Sequence, residues 1–522
     1  MMLAIGDARA GARLLRRLPT FLRRPISAEE ARATLRDRLE RRDADFLALV
    51  RRLIFGHAVS PYRALLRMVG CEYGDLERLV ETGGPEGALA TLAGQGVYLT
   101  VDEFKGRRPV VRGNTQFLLD PRAFTNPLCA PDVPGRSSGS RGAATPVLVA
   151  LDYIRDCGVD TRLALDARGG GDWWKAYWGV PGASATVVVL RLSAFGAPVV
   201  RWFSQIDPWA RGLEARYGWS VMGLRWGSVL AGRPIAAPEF VSVEDPRPIV
   251  RWMTDLLRSG RTPFLQTFPT SAVRLCQAAL AAGADLTGAK MIMGGEPTTR
   301  ARLATIRQAG VDAVPRYSSI ECGPIGHGCL HPEAPDDIHL LHDLHVVVPR
   351  AGADLLVSSL RMTAPLVLFN VSLGDRATLR RRDCGCPMAR LGWSTHLQGI
   401  HSVDKLTAAG MTFLDSDLVR VLEEVLPARF GGGPADYQLV EDEDADGRST
   451  LRLLVHPRLG PQLDGVPDDA VAEVFLSAVS AGAGVERVMG LAWRQGRILR
   501  VEQRAPLVSG TGKILHLRAG PQ

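Results

Sequence analysis

The chain has 522 residues, 46% of them hydrophobic and 23% charged, with a formal net charge of +8. That length exceeds what one hydrophobic core supports, so two or more domains are expected, and the composition is that of an ordinary soluble globular protein, for which disorder is not the default. The basic excess is arginine spread along the whole chain rather than one tract, which argues against a nucleic-acid-binding protein.

Residues 1–105 read as mostly helical, with apolar positions at three- and four-residue spacing in FLALVRRLIFGHA and YRALLRMV. Ahead of them, ARLLRRLPTFLRRPISAEEARATLRDRLERRD alternates basic and apolar residues. It suits a solvated helical face, with a membrane-surface helix or organellar presequence as the alternative, and Pro19 and Pro25 are expected to interrupt it. No apolar run is long enough for a spanning helix, and the start lacks the apolar stretch of a secretory signal. Eight unevenly spaced cysteines in so long a chain point to a reducing, cytoplasmic setting. Lysine is rare, occurring only at Lys105, Lys175, Lys290, Lys405 and Lys513, which marks places where a compact ammonium matters.

Residues 106–402 alternate short apolar runs, such as TVVVLRL, KMIMGG and LHVVVP, with amphipathic helical stretches such as SAVRLCQAALAAG and ARLATIRQAG. This pattern predicts α/β layers on a large mixed or parallel sheet, with a helix ending at Gly310 and a strand in VDAVPRYSS. Residues 403–522 change character. DLVRVLEEVLPARF and DDAVAEVFLSAVSAG predict helices, DYQLVEDE and STLRLLVHP flank the turn signal DADGR, and RVMGLAWRQGRILRVEQ reads as paired strands. The outcome is a small α+β domain.

Five short motifs carry chemistry. VPGRSSGSRGAATPV (133–147) gathers glycines and hydroxyls whose N–H and O–H donors can cradle phosphate, or can form a plain surface linker; it lacks the spacing of a Walker loop. GGEPTTRARL (294–303), RYSSIECGP (316–324), NVSLGDRATL (370–379) and LVSGTGKILHL (507–517) follow in order. Taken singly, Tyr317 could be a core tyrosine and Asp375 a turn residue.

Together, over roughly residues 95 to 517, these motifs resemble the adenylate-forming superfamily of acyl-CoA synthetases, peptide-synthetase adenylation domains and luciferases, and within it the phenylacetate–CoA ligase branch. The resemblance implies an α/β fold: a large N-terminal domain of layered mixed sheets and helices, plus a small mobile α+β C-terminal domain. It also implies that Ser137, Ser138, Gly139, Ser140 and Gly142 grip the phosphates of ATP. Gly295, Glu296 and Pro297 then pass the adenine, Tyr317 packs on it with Ser318 adjacent, and Asp375 holds the ribose. Glu321 supports Mg²⁺, a hard cation suited to oxygen ligands, and Lys513 stabilises charge where the carboxylate attacks the α-phosphate. GIHSVDKLTAAG (399–410) matches the hinge, with Asp404 as its pivot.

Cys329, five nearby histidines (His327, His331, His339, His342, His345) and Cys384-Gly-Cys386 suggest a structural Cys₃His zinc site, or else free buried cysteines beside a His-rich strand edge. The phenylacetate–CoA ligase branch implies Cys329, His339, Cys384 and Cys386 as the ligands.

The expected function is ATP-dependent activation of an aryl or related carboxylic acid as acyl-adenylate, followed by transfer to CoA. One alternative passes the acyl group to an amine or carrier-protein thiol. Another, motivated by Ala143, Ala144 and His401 where the family pattern has other residues, is a nucleotide-binding protein without the chemistry. Neither a nucleic acid nor a transmembrane segment is expected, and a homodimer is allowed. Trp173, Trp174, Trp178, Trp202 and Trp209 stand as either acyl-pocket or core residues.

Overall fold

The computed structural model describes residues 2–130, 132–136, 146–196, 199–207, 215–350, 354–402, 407–408, 411–412, 418, 420–433, 436–443, 449–460, 464–481, 485–507 and 517–519. Helix α1 (Met2–Arg23) runs through Pro19 instead of stopping there, and the chain breaks only at Pro25 before α2 (Ala28–Glu40). Burial explains the difference: Leu14, Leu18, Phe21 and Leu22 all face the core, so tertiary packing outweighs the lost helix bond. The Ser27 hydroxyl then caps α2 by accepting from the Glu30 N–H at 3.0 Å.

Strands Val133–Arg136 and Pro146–Val149 pair as an antiparallel hairpin, and α3 (Leu151–Asp166) starts directly after it. The buried Asp132 carboxylate accepts from the first N–H of α3 (Leu151, 2.9 Å) and from Arg17 of α1 (2.7 Å), fixing this junction.

A ten-stranded sheet follows. Its strands are β1 (Trp174–Gly179), β2 (Arg201–Ser204), β3 (Pro238–Phe240), β4 (Pro263–Thr267), β5 (Lys290–Gly294), β6 (Asp312–Ser319), β7 (Gly323–Gly328), β8 (Ile338–Leu340), β9 (Asp375–Arg381) and β10 (Thr395–Ser402). They lie in the order β9-β10-β8-β7-β6-β5-β4-β1-β2-β3. β1 to β6 are mutually parallel, and β7 to β10 add antiparallel pairs.

Helices α4 (Ala183–Ser193), α5 (Ala215–Leu230), α6 (Pro269–Ala281) and α7 (Arg300–Gln308) connect parallel neighbours. Alternation along the strands separates two cores. Tyr177 and Ile292 join α1 to α4 on one face, whereas Trp178, Met291 and Met293 join α6 and α7 on the other. TVVVLRL is therefore not a strand but most of α4, because Val189, Leu190 and Leu192 are buried and a short run apolar on all sides fits either element. Leu18 approaches α5 so closely that a Cβ at Gly227 would lie 2.8 Å from its Cδ2, so any larger residue there would push that side chain aside. Trp173, Trp178 and Trp202 are buried core residues, and the Trp178 indole N–H donates to the Val241 carbonyl at 3.0 Å.

The helices between 42 and 104 form a third core with a three-stranded antiparallel sheet, in which LHVVVP supplies strand His345–Pro349. A four-stranded sheet closes the chain: β11 (Tyr437–Glu443), β12 (Ser449–Val455), β13 (Leu499–Gln503) and β14 (Leu517–Ala519), in the order β13-β12-β11-β14. β11 and β12 pair antiparallel across the DADGR region as expected. The paired strands read in RVMGLAWRQGRILRVEQ are corrected: Val485–Gly496 is helix α9, lying beside α8 (Asp468–Val479), and only β13 is extended. Trp493, fully buried among Phe475, Leu453 and Tyr437, anchors that helix. Among the described residues no helix is long and apolar enough to cross a membrane. All eight cysteines are free thiols.

Candidate nucleotide site and cysteine–histidine cluster

The site forms where β5 and β6 end. β5 runs into Gly295 at φ 89°, and a Cβ there would lie 3.2 Å from the Phe268 ring, so the turn requires glycine. Glu296 follows with its side chain buried. Its carboxylate accepts from the Thr270 N–H (3.0 Å) and hydroxyl (2.8 Å) at the start of α6, and Arg302 of α7 lies 3.3 Å away. Arg302 also donates to the Pro297 carbonyl at 2.6 Å. The Glu296 side chain thus ties the turn to two helices, leaving Gly295 and Pro297 exposed.

Tyr317 lies near the end of β6 beside a β-bulge, and Asp375 starts β9, whose own bulge falls just beyond it. Such bulges re-aim side chains. Three strands separate β6 from β9 in the sheet order, yet the Tyr317 hydroxyl donates to Asp375 Oδ2 at 2.6 Å. Burial, reinforced by Asp375, pushes the phenol's pKa well up, so it stays a neutral donor to a carboxylate. Ser318 is exposed.

Glu321 follows the strand end. Its carboxylate accepts from the Ser319 hydroxyl, which in turn accepts from the Glu321 N–H at 3.1 Å, and it pairs with Lys105 Nζ at 2.5 Å. Lys105 arrives from the end of helix Val101–Phe104, over 200 residues earlier in the chain (|i−j| of 216). Sequence reasoning did not assign Lys105 to the site; its only signal was the scarcity of lysine. The carboxylate is thus neutralised by the chain's own ammonium; its oxygens are of the kind that Mg²⁺ takes as ligands.

The phosphate-loop residues Ser137, Ser138, Gly139, Ser140 and Gly142, the pivot Asp404 and the lysine Lys513 lie outside the described residues. Their flanks are described. On either side of residues 137–145, Arg136 pairs with Pro146 as the last pair of the hairpin. Before Lys513, the Leu507 N–H and carbonyl are held by the Gln438 amide at 2.6 and 3.1 Å, and β14 follows it.

A second cluster lies at β8, β10 and the loop after β9. Single ligand atoms of Cys329, His339, Cys384 and His396 all fall within 4.8 Å of one another. Cys386 Sγ is 3.1 Å, and Cys384 Sγ 3.6 Å, from His339 Nε2. Cross-strand pairing places His339 directly opposite His396, with ring centroids 4.2 Å apart. The outer nitrogens are fixed: His339 Nδ1 meets the Trp393 carbonyl at 2.6 Å and His396 Nδ1 meets Asp337 at 2.7 Å. This leaves His396 Nε2 buried without a hydrogen-bond partner among the described residues. Contacts from Cys329 and His339 favour the Cys386 thiolate, holding its pKa far below that of a free thiol. Soft donors at this spacing, with second partners orienting each imidazole, fit a tetrahedral zinc ion. His396 was not anticipated from the sequence, because only the β8–β10 register reveals it. Of the other histidines, His327 of β7 stands directly opposite His339 but its Nε2 meets Asp160 at 3.0 Å, His345 Nε2 meets the Pro324 carbonyl at 3.0 Å, and His331 Nδ1 meets the Cys384 carbonyl at 2.8 Å.

No described protein family matches the chain, and no curated protein matches it in sequence. Among solved structures it is similar to a 2-hydroxyisobutyryl-CoA ligase in complex with 2-HIB-AMP and CoA in the thioesterification state. That likeness has a TM-score of 0.52 and 15% identity over 95% of this chain and 91% of the other. An open conformation of that ligase matches with a TM-score of 0.41 and 13% identity over 95% and 93%. At such identities the likeness is one of fold, and it extends over nearly the whole chain. The protein has the fold of the adenylate-forming ligases.

Proposed function

We propose that the protein is an ATP- and Mg²⁺-dependent carboxylic acid ligase of the phenylacetate–CoA ligase-like branch. The acid's carboxylate attacks the α-phosphate of ATP, giving acyl-adenylate and pyrophosphate; a thiol, that of CoA, then attacks the acyl carbon and AMP leaves. The observation that carries this reading is the Tyr317–Asp375 hydrogen bond of 2.6 Å. It joins an aromatic face suited to a purine with a carboxylate suited to ribose hydroxyls, beside the cation-accepting Glu321.

In this reading residues 137–142 hold the phosphates, and the unit from 403 to 522 turns about Asp404 to exchange the adenylating pose for the acyl-transfer pose. Lys513 supplies a fixed positive charge where negative charge builds up. Glu321 would be the protein carboxylate that holds Mg²⁺, which when bound would neutralise phosphate charge. A zinc ion held by Cys329, His339, Cys384 and a fourth donor, Cys386 or His396, ties β8, β10 and the intervening loop together.

Pyrophosphate release tests this with ATP, Mg²⁺ and a panel of aryl, arylacetic, fatty and amino acids, each with CoA, with hydroxylamine or alone. Acid-dependent release, with a thioester formed only in the CoA arm, is the expected result. Hydroxamate without thioester would assign the acceptor to an amine or carrier thiol, and absence of ATP binding by calorimetry would overturn the reading.

A further inference from the structure

Two arginines are buried on the face of the central sheet that α1 to α4 cover. Arg191 on α4 is 3% exposed and Arg316 on β6 is 6% exposed. Arg316 immediately precedes Tyr317, so its side chain leaves the strand one residue, about 3.4 Å along the backbone, from that of Tyr317 and on the opposite face. By register Arg316 stands between Gly294 of β5 and His327 of β7.

The polar groups around them are incompletely satisfied. Arg191 Nη2 reaches Gln266 Oε1 of β4 only at 3.5 Å, and Arg191 Nε, Arg316 Nε and Arg316 Nη2 have no hydrogen-bond partner among the described residues. The carboxylate acting on both is Asp160 of α3, whose Oδ2 lies 3.0 Å from His327 Nε2 and whose Oδ1 has no hydrogen-bond partner among the described residues. Burial keeps Cys157 a thiol. The next arginines, Arg38 and Arg361, have carboxylates of their own in Asp156, Asp343 and Asp45. The immediate balance is two guanidiniums against one carboxylate, in a place where an unmatched charge is costly. Burial, together with mutual repulsion from Arg191, drives the pKa of Arg316 well down.

We propose that Arg191 and Arg316 form a binding site for a second acidic group on the substrate, so that the acid activated is a dicarboxylic acid or one of equivalent double charge. Planar guanidiniums with free N–H groups match a carboxylate, and one further negative charge balances the cluster. This inference rests on the acid-ligase reading above and sharpens its substrate class.

Calorimetry on the full chain tests it, comparing succinate, glutarate, adipate and isophthalate with butyrate, valerate, hexanoate and benzoate. At least one diacid is expected to bind about tenfold or more tightly than its matched monoacid, with the ratio falling toward unity in both Arg316→Met and Arg191→Met. The thermal midpoint of each variant should equal or exceed that of the wild type, because an unmatched buried charge has been removed. Equal binding of both acid classes, no binding of either, a preference that survives in both variants, or midpoints lowered in both variants would overturn the proposal. Diacid binding without any pyrophosphate release once ATP and Mg²⁺ are added to the same samples would overturn the ligase reading and leave this site standing. Monoacid-dependent release without diacid preference would do the reverse.

Discussion

Replacing Tyr317 with phenylalanine isolates the bond on which the nucleotide reading rests. The phenol donates to the Asp375 carboxylate at 2.6 Å from a partly buried position. A hydrogen bond to a charged acceptor contributes about 1.5–3 kcal/mol, and partial exposure sets the lower end, about 1.5 kcal/mol. Phenylalanine keeps the ring, so the loss falls on the placement of Asp375 and amounts to about tenfold in ATP affinity. Tyr317→Ala removes the ring as well, and base stacking adds a further loss of about 1–3 kcal/mol. Calorimetric titration of ATP into the wild type and both variants reads this directly. The expected order is wild type, then Y317F about tenfold weaker, then Y317A weaker again. Unchanged affinity in Y317F, or equal losses in both, would refute the division of labour between ring and hydroxyl.

Other consequences concern the metal cluster and buried titratable groups. Metal analysis of the purified chain should find about one zinc ion per molecule, lost in His339→Ala, and comparison of C386S with H396A identifies the fourth donor by which variant loses the metal. Burial lowers the pKa of Lys175 from 10.5 to about 8. Between these values the unfolded chain binds the extra proton, so stability rises with pH across pH 8 to 10.5. Lys175→Met should therefore melt higher than the wild type at pH 7, by the equivalent of up to about 3 kcal/mol, with the gap closing as pH rises through that window. His345, whose Nε2 donates to the Pro324 carbonyl at 3.0 Å, is lowered from 6.5 to about 4 by burial. Here too the unfolded chain takes the proton first, and the wild type should lose stability from pH 6.5 down to 4, a loss reduced in His345→Gln when melting midpoints are compared across that range.

The parts of this fold that local patterns could reveal were those with one dominant signal. The helix stopped at Gly310, the strand through Tyr317 and the hairpin around DADGR each combine a turn residue with a single periodicity. Thr186–Leu192 and Arg487–Gln503 misled because a run apolar on all sides, or one organised around a buried tryptophan, carries no unique period. Pro19 misled because Leu18 and Phe21 are held by helices more than a hundred residues away.

The site divides in the same way. The motifs name Tyr317, Asp375 and Glu321 as candidates, and the sequence offered no sign that Tyr317 and Asp375 bond across three intervening strands. His396, Lys105 and the buried pair Arg191 and Arg316 depend on register and on contacts between distant segments. Glu296 illustrates a limit of motif reading: its position in the turn was anticipated, whereas its carboxylate is engaged by Thr270 and Arg302.

Isotope exchange between labelled pyrophosphate and ATP tests the central claim most directly, because it reports reversible adenylate formation without an acceptor. The account predicts exchange that requires a carboxylic acid and falls by about 100-fold or more in Lys513→Ala. Exchange that ignores the acid, or that survives unchanged in Lys513→Ala, would contradict it.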